Sequence, residues 1–359
     1  MSFKPLNILR IILLPVNLLA VVVLLFSAVS GIIDPHVWKW CVSLSLCFPV
    51  FVAVNVAFIL VWLILQSRHW LWSALALAAC AYQLFTYCPI NLPQSAPAGS
   101  IKVVSYNSYG FGYGDKDSTC YLQMLDYLRN SDANILCVQE GGSLPIHQKS
   151  LVEATAHWPY KDTVQVDAVH NSVIIFSDYP LLSRHITYSS SPGHLCAIYK
   201  LDIEGDTICV VNSHFVSNSI SSNDKQAYHK LVTVTDEDSS KQDILRLARK
   251  INEAGLKRAE QADSLAMYLE TLGDMPVIVC GDFNDSPLSY AHHRLVRILD
   301  DAYTASGLGP GISYHKSQMF FRLDNILCSH HWKSYGADVD AKAKMSDHYP
   351  ISVWLKKTE

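Results

Sequence analysis

The chain has 359 residues, half of them hydrophobic, and 28 Lys and Arg against 32 Asp and Glu leave a formal charge of −4. Residues 1–97 hold only four basic residues (Lys4, Arg10, Lys39, Arg68) and one acid, Asp34, so residues 98–359 carry 24 Lys and Arg against 31 Asp and Glu, a net of −7. A domain this acidic repels polyanions at long range and weakens the case for a general duplex-DNA enzyme, while ten cysteines without CxxC spacing give no sign of a zinc knuckle or redox pair.

In chain order, residues 11–33, 40–65 and 70–88 are apolar, and each is long enough to cross ~30 Å of hydrocarbon as a helix. The first follows Lys4 and Arg10, as a signal peptide would. Its apolar core is too long for a cleaved signal, however, no clean A-x-A site follows, and two further apolar stretches come next. The expectation is about three transmembrane helices within residues 1–88. Lys4, Arg10 and Arg68 favour a cytoplasmic N-terminus, giving a multi-pass membrane protein with the domain that follows residue 100 extracytoplasmic. The membrane is the partner these helices imply, and no protein partner is predicted. The segment PINLPQSAPAG (89–99), with three prolines among small residues, reads as a linker spanning 89–100, followed by a domain over 101–359.

From residue 101 short apolar runs alternate with amphipathic stretches. Strands are predicted at IKVVSYN, ANILCVQE, NSVIIFS, CAIYKLDI, TICVVNSHF, PVIVCGDFN, FRLDNILCS and HYPISVWL, and helices over 118–131 and 241–271. Strands outnumber helices and do not strictly alternate with them, which favours an α/β fold of two packed sheets over one doubly wound sheet. The polar stretch 217–243 reads as an exposed insertion.

Two strings carry most of the chemistry: VIVCGDFNDSP (277–287) and MSDHYPISVWL (345–355). Each gathers Asp, Asn and His at the end of a β-type run, the groups a divalent metal and a phosphate ester need. Asp282 and Asn284, two residues apart, project to one face of an extended segment, whereas Asp285 faces the other way and is expected to cap the following turn. Glu140 is a hard oxygen ligand. Asn107 at a strand end is as easily a turn former, and a lone histidine in an apolar strand, such as His214, is more often structural.

Six stations in order (Asn107, Glu140, His214, Asp282 with Asn284, Asp324, and Asp347 with His348) resemble the endonuclease/exonuclease/phosphatase superfamily over about residues 101–356. That superfamily includes pancreatic-type deoxyribonucleases, abasic-site endonucleases, neutral sphingomyelinases and inositol-polyphosphate 5-phosphatases. The resemblance implies a four-layer α/β sandwich, two packed, mostly antiparallel mixed sheets flanked by helices. It also implies metal-dependent phosphoester hydrolysis by in-line attack of water. Glu140 would be the principal metal ligand, supported by Asn107 and Asp347, with Mg²⁺ as cofactor and Mn²⁺ as a substitute. Asp282 would orient or deprotonate the water, Asn284 would hold a phosphate oxygen, and Asp324 would fix the tautomer of His348. His214 would face the same site as a phosphate-binding or acid–base residue, and Asn171 would contact phosphate or simply form a turn. Asn325 departs from the aromatic that relatives often place after the Asp324 station. Membrane tethering and acidity favour a lipid or small phosphoester substrate over nucleic acid. A metal-dependent nuclease would need a basic groove, for which Lys241, Arg246, Arg249, Lys250, Lys257 and Arg258 are candidates. A non-catalytic membrane-anchored binding module is the alternative of a different class.

Overall fold

A computed structural model describes residues 5–112, 118–142, 148–165, 172–188, 195–218, 220–221, 224, 241–316 and 319–358. Its strands, β1 to β12 in chain order, form two six-stranded sheets. The first sheet runs, in spatial order, β11 (Trp332–Val339), β12 (Ile351–Lys357), β1 (Ile101–Asn107), β2 (Ile135–Gln139), β4 (Ser172–Ser177) and β3 (Tyr160–Gln165). The second runs β5 (Leu181–Tyr188), β6 (Leu195–Ile203), β7 (Asp206–His214), β8 (Val277–Asp282), β10 (Asp324–Cys328) and β9 (Asp300–Asp301). Each sheet has one parallel pair, β1 with β2 and β7 with β8, and the other neighbours are antiparallel.

The alternation of side chains along each strand builds three apolar layers. Val103, Ile135, Cys137, Ile175, Val210, Ile278, Cys280, Ile326 and Val353 meet between the sheets. On the outer face of the first sheet, Val104, Tyr106, Leu136 and Val138 pack against Met124 and Leu128 of helix Ser118–Arg129. On the outer face of the second, Val211, Val277 and Val279 meet Ala262, Leu265 and Ala266 of helix Lys241–Glu270. Because both faces of the central strands are covered, they are apolar runs without strict polar alternation. The four-layer sandwich is as the resemblance implied, and the two helices fall where their periodicity placed them. Strands β3, β5 and β11 were not predicted: their half-exposed residues carry too little apolar signal. Among the described residues, none of the ten cysteines is in a disulfide.

One polar contact crosses the apolar middle. The Gln139 Nε2 donates to Asn212 Oδ1 at 2.8 Å, and Asn212 Nδ2 donates to the carbonyls of Val138 and Ile174 at 3.1 and 2.9 Å. Both side chains are fully buried, so β2, β4 and β7 are tied at one height across the sandwich. One residue beyond Gln139 the chain turns at Glu140 with φ of 51°, a left-handed conformation rare for a residue with a Cβ.

The N-terminal region differs from the expectation of about three crossings. Among the described residues, only the helix Pro5–Ser30 contains a span, Ile8–Ser30, long and apolar enough to cross a membrane, by length and composition. The second apolar stretch breaks near Pro49 into Cys41–Leu46 and Phe48–Ile64, since proline starts a helix more readily than it continues one. Its 17-residue part rises only ~25 Å at ~1.5 Å per residue. The third breaks at Cys80 into Trp70–Ala79 and Ala81–Tyr87. The multi-pass topology, and the extracytoplasmic placement derived from it, thereby lose the crossing count on which they rested. The helices pack inside out: Asn17, Asn55 and Ser73 are fully buried and hydrogen-bonded to one another with Trp62 Nε1, while Ile11, Leu19, Val22, Leu60 and Leu75 are more than half exposed.

The linker segment is not free. The Gly309 amide donates to the Pro89 carbonyl at 2.8 Å, and Asn91 Nδ2 donates to the carbonyls of Thr304 and Gly307. Arg322 Nη2 donates to the Thr86 carbonyl at 2.6 Å, and Ser43 donates from both its amide and its hydroxyl to Asn252 Oδ1. A Cβ on Gly31 would stand 1.9 Å from the Leu288 carbonyl oxygen, so the helices and the sandwich are in backbone contact there.

Two measurements test this frame. Asn212→Leu strands three buried polar partners and is expected to cost about 3 kcal/mol in urea unfolding, against near-neutral effects at exposed positions. Glu140→Gly relieves the left-handed strain and is expected to be more stable than Glu140→Ala by about 1 kcal/mol.

Candidate active site

Register places the predicted residues before any side chain is considered. In the second sheet, His214 pairs with Asp282 and Asp282 with Asp324, so three neighbouring strands bring three polar side chains into one row on one face. That row can form because β7 and β8 approach closely one residue earlier. A Cβ on Gly281, at φ of 153°, would sit 1.9 Å from the Ser213 carbonyl oxygen. The glycine of GDFN is thus a packing requirement of the parallel pair. In the first sheet, Asn107 ends β1 level with Gln139, and Glu140 follows directly.

The two sheets meet across Asn107. Its Nδ2 donates to Glu140 Oε1 at 3.1 Å and to Asp282 Oδ2 at 3.0 Å, while its Oδ1 accepts from the Tyr109 amide. In this orientation Asn107 holds two carboxylates together and turns its oxygen away from them. The ring of His214 stands with Nε2 3.6 Å from Glu140 Oε1 and 3.9 Å from Asp282 Oδ2. On the other side His348 Nδ1 bonds Asp324 Oδ2 at 2.7 Å, leaving Nε2 3.7 Å from Asp282 Oδ2. Asp282 therefore lies between two imidazoles. Asn284, at φ of 51°, donates its amide to Asp282 Oδ1 and its side-chain nitrogen to the Phe215 carbonyl and to Asp282 Oδ2. Asp347 lines the same cavity beside Glu140. Asn171 lies outside the described residues.

The electrostatics follow from burial. Asp282 is 1 % exposed, and desolvation lifts its carboxyl to about 6 against the pull of His348. Burial opposes a charged His348, but the Asp324 and Asp282 carboxylates outweigh it and raise the imidazole to about 10, so the ring is a cation at neutral pH.

The residues present fit a divalent metal. Glu140, Asp282 and Asp347 are hard oxygen donors sharing one cavity, and Mg²⁺ or Mn²⁺ would find in them the ligand type it prefers. Asp282, Asp324 and His348 also lie close enough to share an ion. With His348 Nδ1 already bonded to Asp324, that trio is better described as a hydrogen-bonded Asp324–His348 pair facing Asp282.

Several residues escaped the sequence. Ser346 accepts from the His348 amide and donates to the Asn107 carbonyl, joining two stations. Ser313 accepts from the amides of Leu323 and Asp324. Tyr314 sets its ring edge against His348, 5.1 Å between centroids. Arg258, expected on a basic surface, is fully buried: Nε bonds Asp285 Oδ2 at 2.8 Å, and Nη1 bonds the Val216 carbonyl and Asn218 Oδ1. Asp285 is therefore one half of a buried ion pair, besides accepting from the Ser286 amide as a turn cap does. Helical spacing held the clue, because Arg258 falls four residues from both Ala254 and Ala262 on the buried stripe. The stretch 217–243 is not simply exposed either. Ser217 and Ile220 line the cavity, and Asp224 is 1 % exposed beneath Arg246 and Lys250.

Known proteins share this fold. Residues 104–348 match the model of the Endonuclease/Exonuclease/phosphatase family, and residues 10–87 match a domain of unknown function. No curated protein sequence matches the chain. Among solved structures, the human Nocturnin catalytic domain with bound sulfate superposes with a TM-score of 0.53 at 15 % identity, covering 75 % of this chain and 96 % of that one. The mannosyl-6-phosphatase of Bacteroides thetaiotaomicron gives 0.50 at 19 % identity, covering 72 % of this chain and all of that one. At these identities the structures speak to the fold. The family model, matching well over half of the residues, shows that the chain belongs to the endonuclease/exonuclease/phosphatase family.

Proposed function

We propose that the chain is a divalent-metal-dependent phosphoester hydrolase held at a membrane by its N-terminal helix. The observation that carries this is the convergence of Glu140, Asp282 and Asp347 with two imidazoles and Asn284 at one end of the sandwich. Glu140 and Asp347 would hold the cation, Mg²⁺ with Mn²⁺ as a substitute, and Asn107 positions Glu140. When bound, the cation polarises the phosphoryl group and offsets charge on the leaving oxygen. Asp282 accepts the proton of the attacking water: with its carboxyl near 6 it is a stronger base than a surface aspartate yet mostly ionised at neutral pH. His348, kept cationic by Asp324, stabilises negative charge on the non-bridging oxygens, and His214 faces it across Asp282. Asn284 reaches a phosphate oxygen by exchanging its 3.2 Å bond to Asp282 for one to the ester. Attack is in line, and no covalent intermediate is required.

The substrate is a lipid or small phosphoester. A nuclease needs an open basic groove, but Arg246 and Lys250 are paired with Asp224 and Arg258 with Asp285. The inside-out packing of the N-terminal helices supports membrane attachment, since buried amides and an apolar exterior suit hydrocarbon and not water.

The test is turnover by the full chain on bis-p-nitrophenyl phosphate and p-nitrophenyl phosphate with Mg²⁺ or Mn²⁺. Glu140→Gln, Asp282→Asn and His348→Gln are each expected to lower kcat by ~10²-fold or more, with EDTA abolishing turnover. Wild-type rates shared by all three variants would overturn the assignment.

A further inference from the structure

The cavity that holds the carboxylates has two kinds of wall. Glu140, Asp282, Asp347 and His348 give it a polar, charged lining. An apolar lining is added by Leu247 and Ile251 of helix Lys241–Glu270, by Ile220, and by Met319, Phe321 and Leu323 ahead of β10. One further wall residue, Leu46, does not come from the sandwich at all. It ends the short helix Cys41–Leu46 of the N-terminal region, which is fastened alongside Lys241–Glu270 by the Ser43–Asn252 bonds and by Val42 packed on Gly255. The cavity holds about 220 Å³.

The rim continues the apolar wall outward. Ile244 and Leu245 are 41 % and 47 % exposed on the first turns of Lys241–Glu270, and Phe320 is 54 % exposed between the lining residues Met319 and Phe321. On the N-terminal side, Val50, one turn beyond Leu46, is 60 % exposed and begins the apolar outer face of Phe48–Ile64. Exposed apolar side chains thus occur both on the cavity's side of Lys241–Glu270 and on the N-terminal helices, and Leu46 brings the N-terminal region into the cavity lining itself. A water-soluble sugar ester gains little from such aliphatic side chains, whereas an amphiphile can set its charged phosphate among the carboxylates and imidazole and its chain against the leucines and isoleucines.

We infer that the substrate is an amphiphilic phosphoester whose hydrocarbon chain lies against Leu46, Leu247 and Ile251, so that the N-terminal helices form part of the substrate site as well as an anchor. This rests on the phosphoester hydrolase reading and narrows its substrate class to membrane lipids. Leu46 is then a specificity-determining residue, contributed by the region that matches only a domain of unknown function.

The experiment uses the full chain held in amphipol, with Mg²⁺, and a series of p-nitrophenyl alkyl phosphodiesters (methyl, butyl, hexyl, octyl) below their micelle concentrations. The expected result is a kcat/KM that climbs with chain length, up to about fourfold per methylene while the chain is being buried. Leu46→Asp is expected to lower the octyl-to-methyl ratio at least tenfold, and Leu46→Met to keep it. Taking the ratio within each variant cancels loss of folded protein. A flat series in the wild type, with metal-dependent turnover intact, overturns the lipid assignment and spares the hydrolase. A ratio unchanged by Leu46→Asp overturns the role of the N-terminal helices. No turnover of any ester removes the hydrolase reading and this inference with it.

Discussion

The site depends on holding two sheets at a fixed height and separation at one end of the sandwich. Apolar packing between sheets is tolerant of small slides, because valine and isoleucine surfaces interlock almost as well when shifted. The Gln139–Asn212 bond is not tolerant, since a slide would leave a buried amide and two carbonyls without partners. Glu140 follows Gln139 by one residue and His214 follows Asn212 by two, so the clamp lies directly beneath the gap they share. Glu140 on one sheet can therefore face Asp282 and His214 on the other at distances set by structure and not by chance.

The same end of the molecule gathers features that work against stability. Three carboxylates crowd one cavity, Glu140 and Asn284 adopt left-handed backbone, and a charged imidazole is buried at His348. Each is unfavourable alone, and each is compensated locally: Asn107 donates to two of the carboxylates and bridges them, Asp324 neutralises His348, and Ser346 ties the SDHYP segment to β1. Strain concentrated at a site and compensated around it is what a preorganised charge-stabilising pocket requires.

Much of this was legible in the sequence because polar residues at the ends of apolar strands are conspicuous. GDFN and SDHYP could be recognised without knowing the register that brings His214, Asp282 and Asp324 into one row. What stayed hidden depended on distant contact. Arg258 looks like any surface arginine until its helical stripe is traced, and Asp285 looks like a turn cap until Arg258 is found beside it. The count of membrane helices failed for a different reason: hydropathy sums over a window and does not register a break at Pro49 or Cys80 that shortens a helix below spanning length. The stretch 89–99 reads as a connection in sequence, and its contacts at Pro89 and Asn91 with residues 304–309 depend on distant parts of the chain that composition does not reveal.

The Arg322 guanidinium, fully buried, reaches Asp301 and His292's neighbourhood on one side and the Thr86 carbonyl on the other. Thr86 belongs to the last turn of Ala81–Tyr87, whose carbonyls have no partners within their own helix. A residue two positions before Asp324 thus completes a helix in the N-terminal half. A chain severed between residues 88 and 101 would strip that guanidinium of its acceptor and open the helix end to solvent. The boundary that composition draws so clearly is therefore bridged by a buried guanidinium, and a cut there would expose on both sides polar groups that now satisfy one another.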